Sequence, residues 1–373
     1  MLSFSSRAKG GRKKPPGEKT LDGYETDIRL FITVMSDARI GAIDRDVAGE
    51  YFNILRRLPA NMNRVAAYRS KSIQEILAMK PPPQSEANAS KKMERLSGMF
   101  KWALEEKRKW GIDANLFTGF GQADGNVSSR RPFSDAEFQA LLNHPSFAKR
   151  QFSSAYSFWL IPLATFTGAR LGELAQLDLK DFVEVDGIAC IDINDIEAAE
   201  DVEGEGGRKK RVKTKNAKRL VPLHPELIRL GLLRYVESMR VKKQVHLFPE
   251  LSRTRRDGPS HAASNWFQRF RKSVGIIEKQ VAVFHSFRHT FITNLLDNGV
   301  TPYLVAPIVG HEGVLITETV YWNKQDATKR KPTVDAFSLS REVLELFPTI
   351  EEVNFVASPG RKVEQKEGRR TSK

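Results

Sequence analysis

A chain of 373 residues has room for two or three domains, and a hydrophobic content of 40% is enough for ordinary cores. Its 60 Lys and Arg against 45 Asp and Glu leave a net charge of +15, which points to a polyanionic partner, nucleic acid first. Cys190 is the single cysteine, so an intramolecular disulfide framework is excluded and a reducing compartment is implied. No run approaches the length of a membrane span. The N-terminal stretch MLSFSSRAKGGRKKPPGEK lacks the apolar core of a signal peptide and reads as a flexible basic arm over 1–19.

Four amphipathic segments fill 20–116 and predict a helical domain. Tyr24, Ile28 and Phe31 recur at helical spacing, with Val34 after them, and Val47, Tyr51 and Leu55 repeat the pattern up to Pro59. Ile73, Ile76 and Leu77 mark a third helix that stops before Pro81. The fourth, from Ala87 to Trp110, puts Met93, Leu96, Phe100 and Leu104 on one side and basic residues, among them Lys91, Lys92 and Arg95, elsewhere. Such a helix packs on a small bundle and offers cations to phosphates or simply to solvent.

Residues 117–131 turn to Gly, Ser and Asn and read as a linker, with Arg130 and Arg131 at its end as DNA-backbone candidates. Ser134 and Glu137 spell a capping box for the next helix. An almost wholly apolar helix follows over 153–166, then the turn Thr167-Gly168-Ala169-Arg170 and a helix carrying Leu171, Leu174 and Leu177. Arg170 therefore sits near a helix start, where backbone N–H groups attract an anion, with Glu173 three positions on to orient its guanidinium. Strands 182–185 and 188–193 flank Asp186-Gly187, a hairpin signal. After an acidic, Gly-rich insert over 197–207, Val212–Lys215 and Arg219–Leu223 predict a second hairpin. A helix is expected over 225–241, a loop over 246–258 with Arg253, Arg255 and Arg256 as backbone contacts, and a helix over 265–274. That last helix packs Trp266, Phe267 and Phe270 and leaves Arg269, Arg271 and Lys272 to face DNA. The elements sum to a mainly α fold with a small antiparallel β-sheet, assigned to 132–356, and a structureless tail over 357–373.

The densest chemistry lies between Phe284 and Trp322. His285 and Arg288 share a helix face, and Phe287, Phe291, Ile292 and Leu295 pin that helix to a core. A short helix runs from Pro302 to Val309, Gly310 breaks it, His311 follows, and Tyr321 comes ten positions later. A guanidinium binds phosphate bidentately, an imidazole moves protons and a phenol can attack phosphorus. Each residue alone reads as structural or solvated; the set, in this order, suits a phosphodiester. Tyr303, between the two His motifs, is the rival nucleophile, and its place at a helix start with Leu304 and Ile308 favours packing. His289 turns about 100° from Arg288 and is set aside.

The H-x-x-R…G-H…Y order resembles the C-terminal signature of the tyrosine recombinases, the phage-integrase family. The upstream T-G-x-R-x-x-E start of that family matches Thr167 to Glu173. The resemblance implies a helical core-binding, SAM-like domain over 20–116 and a mixed α+β catalytic domain over 132–356. It implies that Tyr321 attacks a DNA phosphodiester and forms a covalent 3′-phosphotyrosyl link. Arg170 and Arg288 would clamp the non-bridging oxygens, His285 would move the tyrosine proton and His311 would donate to phosphate. The K-T-K-x-x-x-R-x-V-P-L pattern resembles the hairpin that carries the family's catalytic lysine, Lys213 by the pattern, with Lys215 the alternative. No cofactor, metal or ATP is implied. The partners implied are double-stranded DNA, a homotetramer on that DNA and accessory DNA-bending proteins, without a membrane, in the cytoplasm of a bacterium or under a phage genome.

Val309 before Gly-His, a Gly310–Tyr321 stretch one residue longer than usual, and the acidic insert depart from the pattern. A type IB topoisomerase, an idle DNA-binding protein on the same fold and a metal-dependent nuclease are the competing readings. The helical module and the short motif spacing disfavour the first, the retained phenol the second, and the lack of a carboxylate cluster in the sequence the third. Exchange between two duplexes needs four cleavages and hence four protomers. The apolar segment 340–355, behind a charged linker over 323–331, is expected either to dock on a neighbour or to pack on its own catalytic domain.

Overall fold

The computed structural model describes residues 18–37, 40–105, 112–120, 130–196, 210, 217–253, 258–278, 281–311 and 326–356. Two compact units divide between residues 127 and 128. The first holds α1 (Glu18–Met35), α2 (Arg45–Leu55), α3 (Ile73–Ala78) and α4 (Glu86–Glu105). Asp44 starts α2 by accepting from Val47 N at 2.8 Å, and Ser72 with Glu75 closes a capping box on α3. Phe31, Tyr51, Leu55, Ile76, Met93, Leu96 and Phe100 meet in one buried cluster. Phe117, expected to open the linker, lies in that cluster too, edge-on to Phe31 with ring centroids 5.5 Å apart. Composition marked the Gly-rich neighbourhood; it could not show that one aromatic side chain docks the segment.

The second unit begins with α5 (Asp135–Leu142), whose capping box forms as read. Glu137 N donates to Ser134 Oγ at 3.3 Å, and Ser134 N donates to the Glu137 carboxylate at 2.9 Å. Past α6 (Pro145–Ala148) and β1 (Gln151–Phe152), α7 (Ala155–Thr167) is apolar all round and buried all round, the expected lot of a central helix. It ends at Gly168, with φ +59; a Cβ there would stand 2.6 Å from Phe291 Cδ1. The turn into Arg170 thus requires glycine for both its left-handed backbone and its space.

The four-residue α8 (Leu171–Leu174) leads to a three-stranded antiparallel sheet of β2 (Phe182–Val185), β3 (Ile188–Ile193) and β4 (Arg219–Pro222) in that order. Asp186 and Gly187 both take positive φ, the backbone of a two-residue type I′ turn. The arm expected to pair with β4, Val212–Lys215, lies outside the described residues, apart from which β4 pairs with β3, Ile191 opposite Val221.

The helix expected over 225–241 is in fact two, α9 (Pro225–Arg229) and α10 (Leu232–Val241). Gly231 breaks it with φ +86, and Ile350 fills the space, its N donating to Leu230 O at 2.9 Å. The break shifts the buried face by one residue: Leu232 is buried and Leu233, expected inside, is exposed. Then come α11 (Pro259–Ser273), α12 (His285–Asp297) and α13 (Pro302–Val309). Phe287, Phe291 and Leu295 are buried under α12 as its spacing predicts.

Residues 326–331, expected as part of a charged linker, belong instead to a capped helix, α14 (Ala327–Asp335). Ala327, Arg330 and Val334 face inward, and Arg330 Nη1 donates to Leu220 O on β4 at 2.6 Å. The segment behind it, with α15 (Arg341–Glu345) and β5 (Asn354–Phe355), packs on its own unit. Phe337, Val343 and Phe347 are buried in the main core, and β5 pairs parallel with β1. Of the two expectations for this segment, the chain satisfies packing in cis. No described helix is long and apolar enough to cross a membrane.

Candidate active site

Arg170 leaves α7 through the Gly168 turn and is held in three places. Its backbone N and its Nη1 donate to the two Glu173 carboxylate oxygens at 2.8 and 2.7 Å, and its Nη2 donates to Gly310 O at 3.1 Å. The last bond joins the first arginine motif to the turn that presents His311. Because α8 has only four residues, anion attraction here comes from the guanidinium far more than from a helix dipole.

Glu173 is 4% exposed and also accepts from Arg219 Nη2 at 2.9 Å. Burial pushes its carboxyl up; the charge and hydrogen bond of Arg219, then the bonds from Arg170, outweigh burial and hold it at about 2. Glu173 is thus an ionised carboxylate fixing two guanidinium groups.

Arg288 lies on the inner face of α12, 1% exposed. Its Nη1 donates to Gly168 O at 2.9 Å, while Nε and Nη2 are buried without a hydrogen-bond partner among the described residues. Burial, then Arg170 and Arg219, depress it to about 9, so at neutral pH it remains a cation. A buried cation with two unanswered donors beside a second guanidinium calls for an anion with several oxygens.

His285 opens α12, and burial, followed by His289, Arg288, Arg130 and Arg170, pushes it down to about 4. His311 is open to solvent at its surface, yet desolvation of its ring, then Arg288, Arg170, His289 and Arg219, push it down to about 4 as well. Both are neutral at pH 7, able to accept or donate one proton. Four residues read from three separate motifs, Arg170, Arg288, His285 and His311, therefore share one electrostatic locus with Glu173. Tyr321, Lys213 and Lys215 lie outside the described residues.

The family model of the phage integrase family matches residues 133–328, more than half of the chain. The chain belongs to the phage integrase family. It is a tyrosine recombinase, an enzyme of site-specific DNA recombination. No curated protein matches it by sequence. Among solved structures it is similar to the Tn1549 transposon integrase in complex with transposon right end DNA, at 17% identity and a TM-score of 0.54, over 88% of this chain and 96% of that one. It is similar to a lambda integrase dimer bound to a COC′ core site, at 18% identity and a TM-score of 0.51, over 88% of this chain and 95% of that one. A lambda integrase tetramer bound to a Holliday junction gives 18% identity and a TM-score of 0.50, over 87% of this chain and 76% of that one.

The recombinase's expected DNA contacts divide by what they touch. Lys91, Arg269 and Lys272 are exposed on their helices, and so is Arg130, whose charge reaches His285. Lys92 and Arg95 are committed elsewhere: they donate to the two oxygens of buried Asp27 at 2.8 and 2.5 Å and tie α4 to α1. Arg131 forks onto Glu137 at 2.5 and 2.8 Å. Arg253 donates to buried Asp178 at 2.7 Å and to Gln176 O at 2.9 Å. Arg271, read as facing DNA, is 2% exposed and donates to Ile276 O and Glu278 O in the segment that follows its own helix. Arg255 and Arg256 lie outside the described residues.

Two residues of the site escaped the sequence. His289, set aside because it turns away from Arg288, stands edge-on to His285 with ring centroids 5.1 Å apart. The signal was its i+4 spacing from His285 rather than its neighbour relation to Arg288. Arg219 was read only as a strand residue; its side chain, 1% exposed, reaches into the Arg170–Glu173 pair. Spacing carried no sign of that, since Arg219 and Glu173 are 46 residues apart.

Proposed function

We propose that this recombinase breaks and rejoins DNA through a 3′-phosphotyrosyl intermediate on Tyr321, with Arg170 and Arg288 clamping the phosphate. The observation that carries the reading is the Arg288 guanidinium, buried with two unanswered N–H donors beside Arg170. A scissile phosphate answers those donors through its non-bridging oxygens, and the answer strengthens as charge develops in the transition state.

The Tyr321 phenol attacks phosphorus, the phosphorus–O5′ bond breaks, and the ester energy is kept in the protein–DNA link. Neutral His285 is suited to take the phenol proton, and His311 to donate to a non-bridging oxygen. Lys213, or Lys215 if the hairpin register differs, supplies the proton to the departing O5′. Reversal with another strand's 5′-hydroxyl completes exchange. Two duplexes need four such cleavages, so the working form is a homotetramer on DNA, in line with the lambda integrase tetramer on a Holliday junction. The reaction belongs in the compartment that holds the DNA, the cytoplasm of a bacterial host.

The test is a suicide-substrate trap: nicked duplexes drawn from a library of genomic sequence, incubated with protein, and the covalent adducts isolated and their DNA sequenced. The reading requires adducts through the 3′-phosphate that Tyr321→Phe abolishes without loss of DNA binding. Adducts that persist in Tyr321→Phe and vanish in Tyr303→Phe would assign the nucleophile to Tyr303 instead.

A further inference from the structure

The Arg219 guanidinium makes more structural connections than any role as a strand residue needs. Nη2 donates to Glu173 at 2.9 Å, Nε to Ile308 O at 2.5 Å and Nη1 to Ala217 O at 2.7 Å. Ile308 lies at the end of α13, two residues before Gly310, whose carbonyl accepts from Arg170. Glu173 accepts from Arg170 twice. The bonds therefore close a circuit: Arg219 to Glu173, Glu173 to Arg170, Arg170 to Gly310, and Ile308 back to Arg219. Three separate motifs, on β4, α8 and the end of α13, meet at one buried side chain. Two of the three carry a residue assigned above to phosphate; the third, Arg219, is enclosed.

We propose that Arg219 is a positioning residue for strand cleavage, fixing Arg170 through Glu173 and the His311 turn through Ile308 as one unit. The inference rests on Arg170 acting as a phosphate clamp. It also explains a burial that would otherwise be adverse. A carboxyl as enclosed as Glu173 tends to protonate, and a protonated Glu173 has one fewer oxygen for its two arginines. The groups facing Glu173 are Arg170 from the start of α8, Arg219 from β4 and Arg288 from α12, all cations. Arg219 gives the largest opposition to burial, so its loss lets the carboxyl rise.

The experiment is a double-mutant cycle in single-turnover adduct formation on the nicked duplex defined by the trap. Arg219→Met should slow cleavage on the order of 10²-fold, as expected for a displaced clamp, with DNA affinity nearly unchanged. Its rate should rise with pH over a further range as Glu173 ionises, a limb added to the one that His285 deprotonation at about 4 gives the wild type. Glu173→Gln should slow cleavage without the added limb, and Arg219→Met added to Glu173→Gln should slow it little further. Independent, multiplying losses in the double variant, or a pH profile of Arg219→Met parallel to wild type, overturn the proposal. If Arg219→Met does not fold, the same cycle with Arg219→Lys decides it by the same non-additivity. Arg170→Ala separates the two levels of inference: an unimpaired rate there removes the clamp reading itself, whatever the cycle gives.

Discussion

Replacing Arg288 with methionine should make the protein without DNA more stable and the enzyme inactive. The side chain is 1% exposed and, among the described residues, has one hydrogen bond, to Gly168 O, and two buried donors unanswered. A guanidinium pushed down to about 9 from its ordinary value has its charged form disfavoured by on the order of 5 kcal/mol. The sign follows from the depression: below pH 9 the group is charged in both folded and unfolded chains, so the folded state bears the whole penalty at neutral pH. It is relieved only as pH rises past 9. Methionine has a similar reach, no donor and no charge. It forfeits one hydrogen bond, about 1 kcal/mol, and the repacked cavity costs about 1–2 kcal/mol more. The net gain should be about 2–3 kcal/mol, or roughly 4–9 °C in the unfolding midpoint of the catalytic unit at about 2–3 °C per kcal/mol. Thermal unfolding at pH 7 by circular dichroism measures it, with adduct formation assayed on the same preparations. Cleavage should fall by about 10²–10³-fold or more, the loss associated with one donor to a developing oxyanion. A variant less stable than wild type, with activity lost, would mean that Arg288 is a structural residue and that its unanswered donors are not waiting for phosphate.

Lys213→Ala should be rescued by a substrate with a 5′-bridging sulfur, whose leaving group needs no proton; rescue of Lys215→Ala alone would move the acid two residues along the hairpin. His285 and His311, held at about 4, lose protons before their unfolded counterparts do. Stability should therefore be full above about pH 6.5 and decline as pH falls toward 4, and NMR titration of the ring protons should find both midpoints well below 6. Adding a DNA phosphate should raise both midpoints by answering the nearby cations. Phe347→Ala should destabilise the catalytic unit by about 3–5 kcal/mol, as a buried core residue does; a change confined to synapsis, seen by light scattering on DNA, would return the C-terminal segment to docking in trans.

Local chemistry is what the sequence settled. Ser134 with Glu137, Asp186-Gly187 and the apolar spacing of α12 act over three or four residues, so their outcome is contained in the string itself. The ordered set Arg170, His285, Arg288 and His311 was legible for another reason. Those residue types suit phosphate, and three motifs with fixed internal spacing set them in that order along the chain. Tertiary structure decided which cations reach solvent and which are held inside. Lys92, Arg95, Arg131, Arg253 and Arg271 look alike in sequence to Lys91, Arg269 and Lys272, but Lys92, Arg95 and Arg253 are captured by a buried carboxylate from a distant segment, and Arg131 and Arg271 by a carboxylate or carbonyl close by in the chain. A charged side chain takes its role from the partner that desolvates it, and partners such as Asp27 and Lys92, 65 residues apart, leave no periodic trace. The same holds for Gly231, where the helix breaks because Ile350 occupies the gap, and for Arg219, whose place beside Glu173 exists only once β4, α8 and α13 have packed.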